Sequence, residues 1–240
     1  VMDSKFLDIE FALDTNLTPY LLQVRAITTQ TNWNREASKR IDTTLQGVQS
    51  FVIERLKRVP GVYGETTVLG QMPDWNPVEM IGRAPRALSL SLYQTLITDH
   101  AWSDARAIMG YTIPTGQPLM VMLAGQPFID TRLSFHSYLP NTIPFKIAEK
   151  VVDHWLDHLR MSPELHDKVE FDIAITAYSF DIDDKIENLI GDSLNDSEKI
   201  EFKQAHLEQT RRLVKGKNED SLSNALNRIE VLDTRQREKN

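Results

Sequence analysis

The sequence predicts an α+β fold, rich in helix and carrying small antiparallel strand pairs. Three observations predict it. Apolar and polar residues largely alternate through Lys5–Leu13 and resume through Tyr20–Ile27, on either side of turn residues at Thr15–Pro19. Two such runs across a short loop read as a hairpin. Between Asn34 and Arg58, Ile41, Leu45, Val48, Val52 and Leu56 recur at three- and four-residue spacing, the period of an amphipathic helix. The tail from about Asn195 to Arg237 reads as two polar helices broken near Gly216.

The hairpin's register follows from its pattern. Pairing Glu10 with Gln23 sets Asp8 opposite Arg25, Ile9 opposite Val24 and Phe11 opposite Leu22. One face is then polar and the other apolar, and a slip of one residue would destroy that division. Asn34 is a plausible cap for the first helix and Pro60-Gly61 closes it. Gly64 to about Ala87 reads as loop, punctuated by Pro73, Pro77, Gly82 and Pro85. A helix is expected over Ser89–Met109 with Gly110 as its stop. Pro118–Ile129 reads as a buried strand, a Gly125-Gln126 turn and a short second strand. Phe145–Leu159 is an amphipathic helix, and Val169–Phe180 alternates as a strand. The acidic run Asp181–Asp184 reads as a helix N-terminus, where negative charge is favoured.

Composition sets the function classes. The net charge is −7, and no Lys/Arg cluster interleaved with aromatics offers the phosphate-neutralising surface that nucleic acid requires. Cysteine is absent, which removes disulfides, thiolate nucleophiles and Cys-ligated metals. No apolar run reaches the roughly 20 residues of a bilayer span, and a cytoplasmic protein is expected. No complete Walker A loop, dinucleotide fingerprint, HExxH or GxSxG occurs.

Chemistry gathers at four places. Asp8 and Glu10 project from one face of a strand, and Gln23 and Arg25 from the same face of its partner. Two carboxylates, an amide and a guanidinium could hold a metal–nucleotide complex, since Mg²⁺ takes one or two carboxylates plus phosphate oxygens and Arg suits phosphate. The same pattern also fits a solvated strand face with one cross-strand ion pair. The Gly70–Tyr93 stretch sets Asp74, Asn76, Glu79, Arg83 and Arg86 among Trp75 and prolines, as a ligand loop or as an ordered structural loop with Met72 and Trp75 plugging the core. Alternation would put Arg132, Ser134 and His136 on one side as an anion-binding set, or as a hydrogen-bonded rim. His154 and His158 stand four apart on a helix, spacing that permits a metal site or a solvated face.

Leu7-Asp8-Ile9-Glu10-Phe11-Ala12, followed by Leu21-Leu22-Gln23-Val24-Arg25-Ala26-Ile27-Thr28, resembles the end of the ATP-grasp domain of phosphoenolpyruvate synthases and pyruvate phosphate dikinases. Gly70–Gly82, Pro85–Tyr93 and His166–Phe171 resemble segments that follow that domain in phosphoenolpyruvate-synthase-like proteins. The resemblance implies Glu10 as a Mg²⁺ ligand with Asp8 in support, and Gln23 and Arg25 as ATP-side contacts. Ala26 stands where the family carries proline. The Gly-rich phosphate loop and the strands bearing the nucleotide-binding Lys and Arg have no counterpart in the chain, so ATP is not expected to bind it tightly. The family's carrier histidine sits in a T-x-x-S-H-x-A setting, which none of the 6 histidines matches.

The resemblance therefore implies an internal piece of a larger phosphotransferase, inactive by itself. Residues 1–30 would end the ATP-grasp domain, 31–194 form a central α+β domain, and 195–240 a helical segment. Its partners would be a pyruvate-like acceptor and flanking domains of the same chain. The alternative expectation is a non-catalytic scaffold or interaction domain, with the C-terminal helices as a docking or dimerising arm.

Overall fold

The computed structural model describes residues 7–26, 35–71 and 74–214. The expected strand start at Lys5, the Asn34 cap, the plugging role of Met72 and the second C-terminal helix past Gly216 lie outside the described residues. The fold is mixed α+β, and the chain divides into two compact units, Val1–Gln46 and Gly47–Asn240.

In the first unit, strands β1 (Leu7–Leu13) and β2 (Pro19–Ala26) form an antiparallel hairpin. Asp14 closes its loop, its Oδ1 accepting from the amides of Asn16 and Thr18. Asp8↔Arg25, Ile9↔Val24 and Glu10↔Gln23 pair as the pattern required. Phe11 pairs with Leu21 instead of Leu22, because the register shifts between Glu10 and Phe11. A bulge of this kind gives β2 one extra residue, invisible to an alternation that stays apolar at both Leu21 and Leu22. The apolar face remains open: Ile9, Phe11 and Leu21 are 51%, 61% and 64% exposed. Helix α1 (Arg35–Arg55) follows, its residues up to Gln46 belonging to this unit and the rest to the second, and its stripe residues Ile41 and Leu45 are likewise exposed.

The second unit is built on two apolar clusters. The smaller holds a three-stranded antiparallel sheet of order β3-β5-β4, with β3 at Leu69–Gly70, β4 at Met120–Leu123 and β5 at Gln126–Asp130. Met120 and Ile129 from the sheet pack with Tyr93, Trp102 and Leu133. Helix α2 (Pro77–Ile81) lies in the stretch read as loop. The single helix expected over Ser89–Met109 is α3 (Ala87–Tyr93), a π-helical turn at Gln94–Thr98, and α4 (Ala101–Ile108) after a break at Asp99-His100. The wide turn re-phases the helical face, so Trp102 is buried while Leu92, Leu96 and Ile108 stay exposed. Gly110, at φ 82°, ends α4 as expected.

The larger cluster centres on α6 (Phe145–Met161), whose Val151, Val152, Trp155, Leu156 and Leu159 are buried. Around it pack α8 (Ile182–Ile190), through Ile182, Ile186 and Ile190, and α9 (Asp196–Val214), through Phe202 and Ala205. Helix α5 (Thr131–His136) occupies the segment whose alternation suggested a one-sided polar set; every residue of it is buried. The strand expected over Val169–Phe180 is also corrected: Val169–Ile173 forms helix α7, and the rest has no strand. Val169 and Ile173, four apart, share a face in either periodicity, so five residues of alternation could not separate the two. His166-Asp167-Lys168 accordingly leads into a helix, and Asp181 precedes α8, with Asp183 and Asp184 in its first turn.

Candidate functional site

On the hairpin, β-geometry collects the expected residues on one face. The Arg25 Nε donates to Asp8 Oδ2 at 2.7 Å, and one of its terminal nitrogens donates to Glu10 Oε1 at 3.1 Å. Gln23 stands opposite Glu10 in the register. The arrangement is open to solvent, with Arg25, Asp8 and Glu10 side chains 57%, 46% and 52% exposed. Exposed ion pairs hold little stability, so this patch is chemically available rather than structurally committed. Among the described residues no group of three or more His, Asp or Glu side chains is disposed to hold a metal. Mg²⁺ on a nucleotide does not require one, because phosphates and water complete its shell. The donor set of Asp8 and Glu10 fits that demand once Arg25 turns from the carboxylates to a phosphate.

The loop residues divide. Asp74, Trp75 and Asn76 all have positive φ (38°, 41° and 26°), a strained run for residues with side chains. Asp74 is held from within: its Oδ2 accepts from Arg106 at 3.1 Å and from Ser134 Oγ at 2.7 Å. The Arg106 guanidinium in turn lies 4.1 Å over the Tyr138 ring and 5.6 Å from Trp75. Burial, and then repulsion from Asp74, raise the carboxyl of Glu170, whose Oε2 has no hydrogen-bond partner among the described residues. Burial also lifts the Tyr138 hydroxyl well above the ordinary phenol range. Asn76 caps α2, its side chain accepting from the Glu79 amide, which is a structural role. Arg83 and Arg86 are exposed. The five loop residues therefore form no common site.

Arg132 and His136, expected either as an anion-binding set or as a hydrogen-bonded rim, are both buried. Helix α5 turns them inward. The Arg132 guanidinium donates to the carbonyls of Lys57 and Arg55 just past the α1 terminus, where cations are favoured. Asp130 Oδ2 accepts from Arg55 Nε at 2.6 Å, and its Oδ1 from Thr67 Oγ1 at 2.6 Å. His136 stacks on Tyr63 with ring centroids 3.8 Å apart, and its Nδ1 accepts from the Tyr63 amide. Burial, with the nearby Arg132 charge, pushes its pKa down to about 3. At 1% exposure the ring is closed off from any phosphoryl donor in solution.

Sequence reasoning missed Arg55, Thr67 and Arg106. One signal was present. A carboxylate ending an apolar strand, as Asp130 does, must be given a cation or donors if the strand is buried. His154 and His158 project from α6, and His154 Nδ1 lies 2.7 Å from Ser193 Oγ.

No family model, curated protein or solved structure matches the chain. Among the described residues, no helix is long and apolar enough to cross a membrane.

Proposed function

We propose that this chain carries one wall of an ATP site and the central region of a phosphoenolpyruvate-synthase-like phosphotransferase acting in the cytoplasm. The observation that supports the reading is Arg25 lying across Asp8 and Glu10 on one face of the ribbon, in the register that the alternation requires. Glu10, with Asp8, would hold Mg²⁺, which would neutralise phosphate charge. Arg25 would exchange its carboxylate partners for phosphate oxygens, and the Gln23 amide would donate alongside it. Catalysis of this kind is positioning and charge stabilisation, and needs no nucleophile from these residues. Phosphate would pass through a histidine on a flanking domain to a small pyruvate-like acceptor. The burial of His136 and His206 fits a carrier located elsewhere.

Paramagnetic relaxation tests the reading directly. With ATP present and Mn²⁺ replacing Mg²⁺, the amides of Asp8, Glu10, Gln23 and Arg25 should broaden, and Glu10→Gln should restore them. Equal broadening in wild type and Glu10→Gln, or none at up to about 10 mM nucleotide, would overturn it.

A second reading, a non-catalytic scaffold that pairs with another copy, is favoured by the open apolar face bearing Ile9, Phe11 and Leu21. It expects a dimer in sedimentation that Phe11→Asp converts to monomer, with no nucleotide effect.

A further inference from the structure

Helices α6, α7 and α8 enclose a cleft of about 500 Å³, a size suited to an organic small molecule. Its floor is apolar. Trp155, Ile173 and Leu189 line it, and the Trp155 indole N–H is satisfied by the Leu189 carbonyl at 3.2 Å, leaving no polar demand there. Phe171 stands at the edge, 80% exposed, a large aromatic ring left open to solvent beside a cavity. Each wall adds polar groups of a different kind. Helix α7 supplies the Asp172 carboxylate, α8 supplies Lys185 and, one turn on, the Asn188 amide, and α6 supplies His154 and His158.

These groups are not absorbed by the fold. Asp172 is exposed and forms no ion pair among the described residues. Among the described residues Lys185 is held by exposed contacts, to Asp181 at 3.2 Å and to Ser179 Oγ at 3.3 Å, which a ligand can displace at little cost. His154 is oriented by Ser193 through Nδ1, and burial, then the neighbouring His158, lower its pKa. An anionic group on one wall and a cationic group on another, above an apolar floor with an aromatic rim, match a molecule with the opposite layout.

We propose that this cleft binds a small amphoteric aromatic molecule, its ring on Trp155 and Phe171, its basic group toward Asp172 and its acidic group toward Lys185 and Asn188. The inference is independent of the hairpin reading and survives its failure.

Titration with L-tryptophan, indole-3-acetate and tryptamine tests it, followed by ligand-observed NMR on the whole chain. Tryptophan should saturate with Kd below about 1 mM. Indole-3-acetate, without the ammonium, and tryptamine, without the carboxylate, should each bind up to about fivefold more weakly. Lys185→Ala should abolish the penalty on tryptamine, and Asp172→Asn that on indole-3-acetate. Asn188→Trp, an exposed rim change that fills the cleft, should abolish binding with the thermal midpoint unchanged; if it fails to fold, the two charge variants decide. No saturation at about 10 mM, equal affinity for all three probes, or full binding by folded Asn188→Trp would each overturn the proposal.

Discussion

An arginine does different work at positions 25 and 132. Arg25 is 57% exposed with its acidic partners, whereas Arg132 is fully buried on the last carbonyls of a helix. Arg132→Ala leaves those carbonyls without their donor and removes a second cation 3.9 Å from Asp130, which keeps Arg55, and should cost about 2–5 kcal/mol in denaturant unfolding. Arg25→Ala should cost under about 1 kcal/mol in the same measurement, so any large effect on nucleotide-induced broadening would be functional. The buried histidines make a second contrast. His206 packs on Phe202 with neither ring nitrogen hydrogen-bonded among the described residues, and burial pushes its pKa down to about 4. Unfolded histidine titrates near 6.5. Between those values the unfolded chain holds more protons than the folded one, so stability is complete above about pH 6.5 and falls as pH drops. The loss should approach about 1.4 kcal/mol per pH unit per histidine, continuing toward pH 4 for His206 and pH 3 for His136. Denaturant midpoints of His206→Met should show a flatter slope between pH 6.5 and 4, without loss at neutral pH.

At the scale of elements, the hairpins were the most legible features, because each carries its register and turn in adjacent residues. The β4–β5 turn falls on Ala124-Gly125, one residue before the expected Gly125-Gln126, with φ of 48° and 83°. Two positive φ values suit the twist of a two-residue hairpin, but alanine resists the conformation. Ala124→Asn should therefore stabilise the protein by about 0.5–1 kcal/mol, read as a raised Tm. Short helices were illegible where their apolar spacing also fits a strand, as at Val169 and Ile173. Thr131–His136 misled for a different reason. Its polar residues are all buried, and Arg132, Ser134 and His136 find partners in remote segments, such as Thr67 to the Arg132 amide and Tyr63 to His136. No local pattern encodes those partners.

At the scale of the molecule, α9 is part of the larger core, since Phe202 and Ala205 pack with α6 and α8 and the Gln209 amide donates to the Met109 carbonyl. A chain ending at Leu194 should lose cooperative unfolding of the Gly47–Asn240 unit in calorimetry, not merely change mass in solution. The hairpin, with its apolar face open, should behave oppositely. Amides of β1 and β2 should exchange with deuterium far faster than those of α6, because a two-stranded ribbon is marginal by itself.

The sequence by itself determined the α+β class, the hairpin with Asp8, Glu10, Gln23 and Arg25 on one face, the buried strand pair and the amphipathic α6. Each rests on side-chain periodicity within a few residues of chain. Only the tertiary structure decided that Arg132 and His136 are interior, that Asp74 belongs to Arg106 and Ser134, and that three helices leave a cleft lined by opposite charges. Those outcomes depend on burial and on partners tens of residues away, and a local alternation of polar and apolar groups carries no record of either.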